Sequence, residues 1–331
     1  MRGNGQGKRA LSLLRFSNAG DADETFDLAS SLRKAASSVD NSRSEFNIRP
    51  DNFKTIEKVG SGSTSIVYKS LYLPTGKQMA QKVIFIDSRT LMAEIVKEIG
   101  TLKSFSHPNV EKYYGYYVIG QTVAIILEFM NLGNLNVLKN TVLNEGAVSY
   151  VARQILLGLK YLHLQKRIVH RDIKPHNILV NTQGEIKLGD FGICAIMKEN
   201  EETCKTSLVG SMKYMSPERL QKEPYGFVSD IWSLGLTLYE LAFKKYPFSV
   251  ETSCSPIELI ETVVGQDISG ILRECSPLFG NFLEKCLRKD PSSRSGVVEL
   301  LSDPFIKEYA SFGPNEFREI ILSQIEGALN L

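Results

Sequence analysis

The sequence is poor in the features that mark secreted, metal-binding and membrane proteins. Its five cysteines are odd in number and lack metal-ligand spacing, and no secretory signal is visible. The longest apolar runs, such as VAIIL and IWSLGLTLYELAF, are too short to cross a bilayer. With 39 basic and 37 acidic residues, the net charge of +2 gives no reason to propose nucleic acid or an anionic membrane as a partner. We therefore expect a reduced, cytoplasmic protein that neither binds nucleic acid nor enters a membrane.

Composition and periodicity divide the chain into a tail and two unlike lobes. Residues 1–52 are rich in Ser, Asn, Gly, Arg and Asp, and we predict that most of them are disordered. From residue 53, short segments rich in Val, Ile, Phe and Tyr alternate with Gly-containing turns, which predicts antiparallel strands with one helix, LMAEIVKEIGTLKSF, among them. After Gly133 the pattern is helical, as in AVSYVARQILLGLKYLHLQ. A small sheet-rich lobe is thus followed by a larger helical lobe.

A glycine-rich turn, VGSGSTSIVYK, lies between the first two predicted strands. Glycines let the backbone approach phosphate groups closely, and the N–H groups of such a turn can bind them. Taken alone, the motif describes an ordinary hairpin equally well. The candidates for nucleotide binding in this turn are Val59, Gly60, Ser61, Gly62, Ser63 and Val67.

One strand later, Lys82 is a candidate for binding the phosphates of a nucleotide. A lysine on a strand is usually only solvated, but this one lies on the strand that follows the glycine-rich hairpin. Glu98 is its candidate partner, because it lies one helical turn before Leu102 and shares that face. Glu94 lies on the same face and is the second choice.

Two later segments, IVHRDIKPHNILV and EIKLGDFG, carry the strongest chemical signal. Phosphoryl transfer needs an acceptor for the proton of the substrate hydroxyl, and oxygen ligands for the magnesium ions that bridge the phosphates. Asp172 suits the first role, and Asn177 and Asp190 suit the second. Lys174 can offset charge on the phosphoryl group during transfer. Any one of these acids alone describes a surface residue, but the ordered set predicts a phosphoryl-transfer site.

These motifs, in this order, resemble those of eukaryotic protein kinases over residues 53–308. The resemblance implies an α+β, bilobal fold, with a small antiparallel-sheet N-lobe at 53–130 and a larger helical C-lobe at 131–308. It also implies that ATP and Mg²⁺ bind between the lobes. Ser65 replaces the third glycine of the usual kinase loop, which we expect only to tune nucleotide affinity.

The same resemblance assigns roles to further residues. It favours Glu98 over Glu94 as the partner of Lys82, because KEIGTLKSFSHPN resembles the helix-to-loop sequence of protein kinases. It implies that backbone groups of Glu128 and Met130 bind adenine. It also implies that Glu218 pairs with Arg294, and that Asp230 braces the catalytic loop.

Among the kinases, the phrases GEIKLGDFG and KYMSPERL resemble those of MAP kinase kinases, and HRDIKPHN resembles the Ser/Thr-type loop. The MAP kinase kinase pattern implies two regulatory phosphorylation sites in the segment after DFG. Thr203 and Ser207 have the expected spacing, with SLVG at the second site, and Thr206 is an alternative to Ser207. Each phosphate adds a charge of about −2, and Arg171 is a natural receiver for it.

The resemblance implies a dual-specificity kinase that transfers the γ-phosphate of ATP to Thr and Tyr in the activation loop of a MAP kinase. Its activator would be an upstream MAP kinase kinase kinase. Two alternatives stay open: a Ser/Thr kinase of another branch, such as a Ste20-like kinase, and a non-catalytic scaffold that binds a MAP kinase. Lys82, Asp172 and Asp190 are all present, which argues against the scaffold.

A segment near the start of the chain is a candidate for binding a partner kinase. GKRALSLLRF resembles the docking peptide with which MAP kinase kinases bind MAP kinases, and its candidate docking residues, within 8–13, are Lys8, Arg9, Leu11 and Leu13. A mitochondrial transit peptide and an inert tail are the alternatives.

At the other end of the chain, the pattern of residues 309–331 predicts a C-terminal amphipathic helix that begins at Pro314. That helix either packs on the large lobe or docks the upstream kinase.

Overall fold

The computed structural model describes residues 45–62, 65–86, 89–191, 195–196, 212–248 and 254–329. Its first lobe contains five strands and one helix: β1 Phe53–Ser61, β2 Ser65–Tyr72, β3 Lys77–Phe85, α1 Arg89–Lys103, β4 Tyr113–Ile119 and β5 Thr122–Glu128. The strands form one antiparallel sheet in the order β1-β2-β3-β5-β4. The predicted sheet-rich lobe with one helix is therefore confirmed.

The second lobe is mainly helical. Its helices are α2 Glu145–Lys160, α3 Pro217–Leu220, α4 Val228–Phe243, α5 Pro256–Gly265, α6 Ser269–Leu272, α7 Pro277–Cys286, α8 Val297–Leu301, α9 Pro304–Glu308 and α10 Pro314–Leu329. Its short strands form two ladders, β6 Ile168–Val169 with β9 Ala195–Ile196, and β7 Ile178–Val180 with β8 Ile186–Leu188. The predicted bilobal α+β fold is confirmed.

The core of the second lobe forms around α4, which is buried on nearly every side. Ile231, Trp232, Leu234 and Leu238 on this helix are fully buried. A helix that is apolar all round has to lie inside a protein rather than on its surface. It packs against α2 and α7, and its residue Asp230 binds the backbone of the loop between β6 and β7 that is described below.

Residues 45–52 pack against the sheet, although we predicted that most of the chain up to this point is disordered. Phe46 is buried, and its ring centroid lies 5.2 Å from that of Tyr72 and 5.1 Å from that of Tyr114. The N–H of Asn47 donates to the Tyr72 hydroxyl at 3.0 Å. The folded part of the chain therefore begins before the predicted boundary at residue 53. A short segment anchored by one aromatic ring has no periodicity that would reveal it in a sequence.

The C-terminal helix α10 packs on α2 and on the turn between β7 and β8. Phe317 and Ile321 are buried, and the ring centroid of Phe317 lies 5.2 Å from that of Tyr150. In the turn, Gly184 has a φ of +78°, and an added Cβ would lie 2.3 Å from the carbonyl oxygen of Pro314. The close approach therefore needs glycine at this position. Among the described residues, no helix is long and apolar enough to span a membrane.

Candidate active site

The site between the lobes brings together three charged groups from distant parts of the chain. Lys82 lies on β3, and its Nζ is 2.8 Å from Glu98 Oε1 and 3.2 Å from Asp190 Oδ1. Glu98 comes from α1, whereas Glu94, the second choice, is exposed. The helix is therefore rotated so that only the first of these two acids contacts the lysine.

These charges reinforce one another. Burial by itself would lower the pKa of Lys82, but the carboxylates of Asp190 and Glu98 outweigh it and hold this pKa above its ordinary value. The ammonium group of Lys82 in turn holds the pKa of Asp190 below its ordinary value. At neutral pH, Lys82 is therefore a cation suited to phosphate oxygens, and Asp190 is an anion suited to a metal ion.

The loop between β6 and β7 brings three predicted residues together, with Lys174 and Asn177 on the carboxylate of Asp172. Asp172 is buried, and its Oδ2 accepts hydrogen bonds from Lys174 Nζ at 2.7 Å and from Asn177 Nδ2 at 2.6 Å. Asn177 Nδ2 also donates to the backbone oxygen of Asp172 at 2.9 Å. These contacts hold the carboxylate as an oriented acceptor, which is what general-base chemistry needs.

Asp230 on α4 binds the backbone of this loop. Its carboxylate accepts the backbone N–H groups of His170 and Arg171, both at 2.8 Å, and lies 2.8 Å from His163 Nε2. Burial alone would raise the pKa of Asp230, but the hydrogen bond and charge of His163, with the other donors, hold it below its ordinary value. Arg171 has a φ of +73°, a conformation that such a side chain rarely adopts. The buried carboxylate of Asp230 holds the backbone in this conformation.

Asp190 follows β8 and is fixed by its neighbours on both sides. The N–H of Gly189 donates to the backbone oxygen of Asn177 at 2.9 Å, which ties together the segments of the two predicted metal ligands. On the other side, the buried ring of Phe191 lies 5.0 Å from that of His170, between centroids. Core packing therefore sets the position of a residue that we expect to bind a metal ion.

The residues of the site fit ATP and a divalent cation. Mg²⁺ prefers oxygen ligands, and in proteins it usually takes one or two carboxylates together with phosphate oxygens. The amide nitrogen of Asn177 donates to Asp172, so the Oδ1 of Asn177 is the side-chain atom that can bind a cation. We propose that this atom and the carboxylate of Asp190 hold the metal ion, and that Lys82 binds the phosphates.

The glycine-rich turn lies one strand away from Lys82. In the sheet, Gly60 pairs with Val67, and Val67 pairs with Lys82. The N–H of Gly62 donates to the backbone oxygen of Ser65 at 2.8 Å, which closes the turn. This geometry is consistent with the proposed role of the turn in covering the phosphates.

Glu128, the last residue of β5, and Met130 lie where the chain passes from the first lobe to the second. The N–H of Glu128 donates to the backbone oxygen of Lys112 at 2.8 Å, and the Met130 oxygen accepts the N–H of Gly133 at 2.9 Å. The carboxylate of Glu128 binds Lys187 Nζ at 2.7 Å. As the sequence resemblance implies, we propose that backbone groups of Glu128 and Met130 bind adenine.

Several predicted sites lie outside the described residues and stay predictions. They are the loop residue Ser63, the phosphorylation sites Thr203 and Ser207 with the alternative Thr206, and the docking residues Lys8, Arg9, Leu11 and Leu13.

Glu111 is a buried acid next to the site that sequence reasoning missed. The only signal for it is a lone acid at the start of the stretch VEKYYGYY. Its Oε2 lies against Gly189, where an added Cβ would be 3.3 Å away. Burial raises the pKa of Glu111 to about 8. The charge of Lys82 opposes this shift, and the carboxylates of Asp190, Glu128 and Glu98 add to it.

Replacing Glu111 with Gln should make folding stability less dependent on pH. Between the ordinary carboxyl pKa and about 8, the folded protein binds more protons at Glu111 than the unfolded chain does. Wild-type stability therefore falls as pH rises through this window, by up to about 1.4 kcal/mol per pH unit, whereas Gln cannot ionise. Urea unfolding at pH 5, 6.5 and 8 should show the advantage of Glu111→Gln growing with pH. The exposed Glu284→Gln serves as control, and a difference independent of pH in Glu111→Gln would contradict the prediction.

Comparison with known proteins agrees with this geometry. The family model described as "Protein kinase domain" matches residues 53–306. Mitogen-activated protein kinase kinase 2 of Arabidopsis thaliana is 37% identical over 268 residues, which cover 78% of this chain and 74% of that protein. Mitogen-activated protein kinase kinase 3 of the same plant is 35% identical, over 84% of this chain and 55% of its own length. Serine/threonine-protein kinase dst2 of Dictyostelium discoideum is 36% identical over 77% of this chain, which spans only 22% of that relative.

Proposed function

The chain belongs to the eukaryotic protein kinase family and is similar to MAP kinase kinases, and from this premise we propose that it phosphorylates Thr and Tyr in the activation loop of a MAP kinase. The observation that carries the catalytic part is the position of Lys82 Nζ within 3.2 Å of both Glu98 and Asp190, beside the loop that contains Asp172. The names of the two plant relatives support the choice of substrate.

Each residue of the site has a task in this reaction. ATP supplies the γ-phosphoryl group, and a divalent cation such as Mg²⁺ neutralises its charge. Asp172 orients the substrate hydroxyl and accepts its proton, while Lys174 offsets negative charge on the group in transfer. Asn177 and Asp190 hold the cation. The ion pair with Glu98 keeps Lys82 in place to bind the phosphates.

Regulation and partners complete the proposal. An upstream MAP kinase kinase kinase activates the enzyme by phosphorylating Thr203 and Ser207. The peptide that contains Lys8, Arg9 and Leu11 docks the MAP kinase, and the reaction takes place in the cytoplasm.

Two phosphorylation sites suit the free energy that activation needs. Shifting the ratio of active to inactive enzyme from 1:99 to 99:1 takes about 5.5 kcal/mol, whereas one charge-assisted hydrogen bond contributes about 1.5–3 kcal/mol. Two phosphates supply this energy more readily than one.

A second candidate is a Ser/Thr kinase of another branch. Its support is the similarity to the Dictyostelium kinase dst2, whose identity to this chain is close to that of the plant MAP kinase kinases. The two candidates differ in the acceptor residues that they phosphorylate.

Mapping the phosphorylated residues of the substrate separates the candidates. Purified protein is incubated with Mg-ATP and catalytically inactive MAP kinases, and mass spectrometry locates the phosphates. We expect phosphate on both Thr and Tyr of one activation loop, more of it with Thr203→Asp/Ser207→Asp, and none with Asp172→Ala. Activity restricted to a generic Ser/Thr substrate would show that the protein is an active kinase, but it would reject the MAP kinase kinase assignment.

A further inference from the structure

Glu111 is a buried acid at the wall of the proposed nucleotide site, and the proposed mechanism does not use it. Its N–H donates to the backbone oxygen of Leu188 on β8 at 2.9 Å, and the oxygen of the next residue, Lys112, accepts the N–H of Glu128 at 2.8 Å. Its side-chain oxygen Oε2 lies against Gly189. Glu111 therefore connects β8 to the end of β5, where adenine is proposed to bind.

The carboxyl group of Glu111 occupies space that a side chain at position 189 would otherwise need. An added Cβ on Gly189 would lie 3.3 Å from Oε2 of Glu111 and 2.7 Å from Cδ1 of Leu179. The charges of Lys82 and Asp190 both act on the carboxyl group, so it lies near the groups proposed to bind the phosphates and the metal ion. The acid therefore belongs to the site between the lobes rather than to the outer surface.

The carboxyl group of Glu111 lacks a partner in the described part of the chain. The residue is only 7% exposed, and neither of its oxygens takes part there in an ion pair or a hydrogen bond. Because burial raises the pKa of Glu111 to about 8, the group is mostly neutral at pH 7, with one O–H donor and one carbonyl acceptor. A buried polar group without a partner is costly, so the arrangement points to a ligand that supplies one.

Adenine has an edge that matches a neutral carboxyl group. Its amino group donates, and the neighbouring N7 atom accepts, so a side chain with one donor and one acceptor can bind both. Guanine has a carbonyl oxygen in place of the amino group, and its edge therefore presents two acceptors. The amino group of adenine has two N–H donors, so it can bind Glu111 and a backbone group at the end of β5 at the same time.

We propose that Glu111 is a specificity-determining residue, whose carboxyl group forms paired hydrogen bonds with the amino group and N7 of adenine. The inference rests on the proposed function, in which backbone groups of Glu128 and Met130 bind the adenine of ATP, and it adds a side chain to that site. It also gives a reason for an acid at a position where an apolar side chain would be buried at lower cost.

Nucleotide binding by the full-length chain tests the proposal without a measurement of activity. Isothermal titration calorimetry at pH 7 with Mg²⁺ gives the Kd of ATP and of 7-deaza-ATP, in which a C–H group replaces N7. We expect the wild type to bind ATP about 3- to 10-fold more tightly than 7-deaza-ATP, the contribution of one hydrogen bond. Glu111→Met keeps the length of the side chain but has no O–H donor. It should bind ATP about 10-fold more weakly than the wild type does, and should bind the two nucleotides equally.

Three further variants make the comparison specific. Glu111→Gln retains a donor and an acceptor and should keep the preference for ATP over 7-deaza-ATP, which separates hydrogen bonding from packing. The exposed Glu284→Met is the matched control and should bind both nucleotides as the wild type does. Glu111→Leu replaces Glu111→Met if that variant does not fold.

Two outcomes would overturn the proposal and leave the proposed kinase activity in place. One is equal affinity of the wild type for ATP and 7-deaza-ATP. The other is a preference for ATP that persists unchanged in the apolar variant. Failure of the wild type to bind ATP at all would instead reject the proposed function, and the inference with it.

Discussion

Replacing Asp172 with Asn is expected to slow phosphoryl transfer by about 10²- to 10⁴-fold, the usual contribution of a positioned general base. Asn has nearly the same shape, and its oxygen can still accept the bonds from Lys174 and Asn177 at 2.7 and 2.6 Å. The loop should therefore keep its conformation, while the acceptor for the substrate proton is lost. Single-turnover transfer to a MAP kinase measures the effect on the chemical step.

Two further measurements separate loss of chemistry from loss of structure. The affinity for ATP and the urea-unfolding midpoint of Asp172→Asn should stay close to those of the wild type. The exposed Asp267→Asn is the matched control and should transfer phosphate at the wild-type rate. Transfer by Asp172→Asn within a factor of a few of the wild type would remove Asp172 from the mechanism.

Replacing Arg294 with Met is expected to lower the free energy of unfolding by about 3–5 kcal/mol, because it leaves a buried carboxylate without its partner. Arg294 donates to both oxygens of Glu218, at 2.8 and 3.0 Å, and neither side chain is exposed to more than 1%. Burial would raise the pKa of Glu218, but the hydrogen bonds and charge of Arg294 hold it below its ordinary value. Urea unfolding gives the change directly.

The origin of this loss can be tested with two other variants. Replacing both members, as Arg294→Met with Glu218→Leu, should recover much of the stability, because no buried charge is then left unpaired. Lys245→Met breaks the exposed pair with Glu274, whose members are 54% and 42% exposed, and should cost less than about 1 kcal/mol. A similar small loss in Arg294→Met would contradict the prediction that an unpaired carboxylate of Glu218 is costly at this buried position.

The stability of the single variant Arg294→Met should also depend on pH, and it should rise as pH falls. Without Arg294, burial is left to raise the pKa of Glu218 above its value in the unfolded chain. The folded variant then binds more protons than the unfolded one, so its stability should rise as pH falls toward 5. Wild type and the double variant should lack this contribution.

The sequence by itself predicted the two lobes and named the residues of the proposed catalytic site. Alternating strands, helical periodicity and the ordered motifs around Asp172 and Asp190 are local patterns, and local patterns are what a sequence displays. The resemblance of the ordered motifs to eukaryotic protein kinases implied the bilobal fold and the kinase family, and both are confirmed. The C-terminal helix also begins at Pro314, where the pattern predicted its start.

Only the tertiary structure decided which side chains meet. The helical pattern places Glu98 and Glu94 on one face and does not separate them; the kinase resemblance favoured Glu98, and the rotation of α1 against the sheet brings it to Lys82. Likewise, only the folded chain buries Glu111 beside Gly189 and covers the sheet with Phe46. The partners in these contacts are separated by many residues, and Lys82 and Asp190 are 108 positions apart. No periodicity links such positions, because the interactions exist only once the lobes have packed.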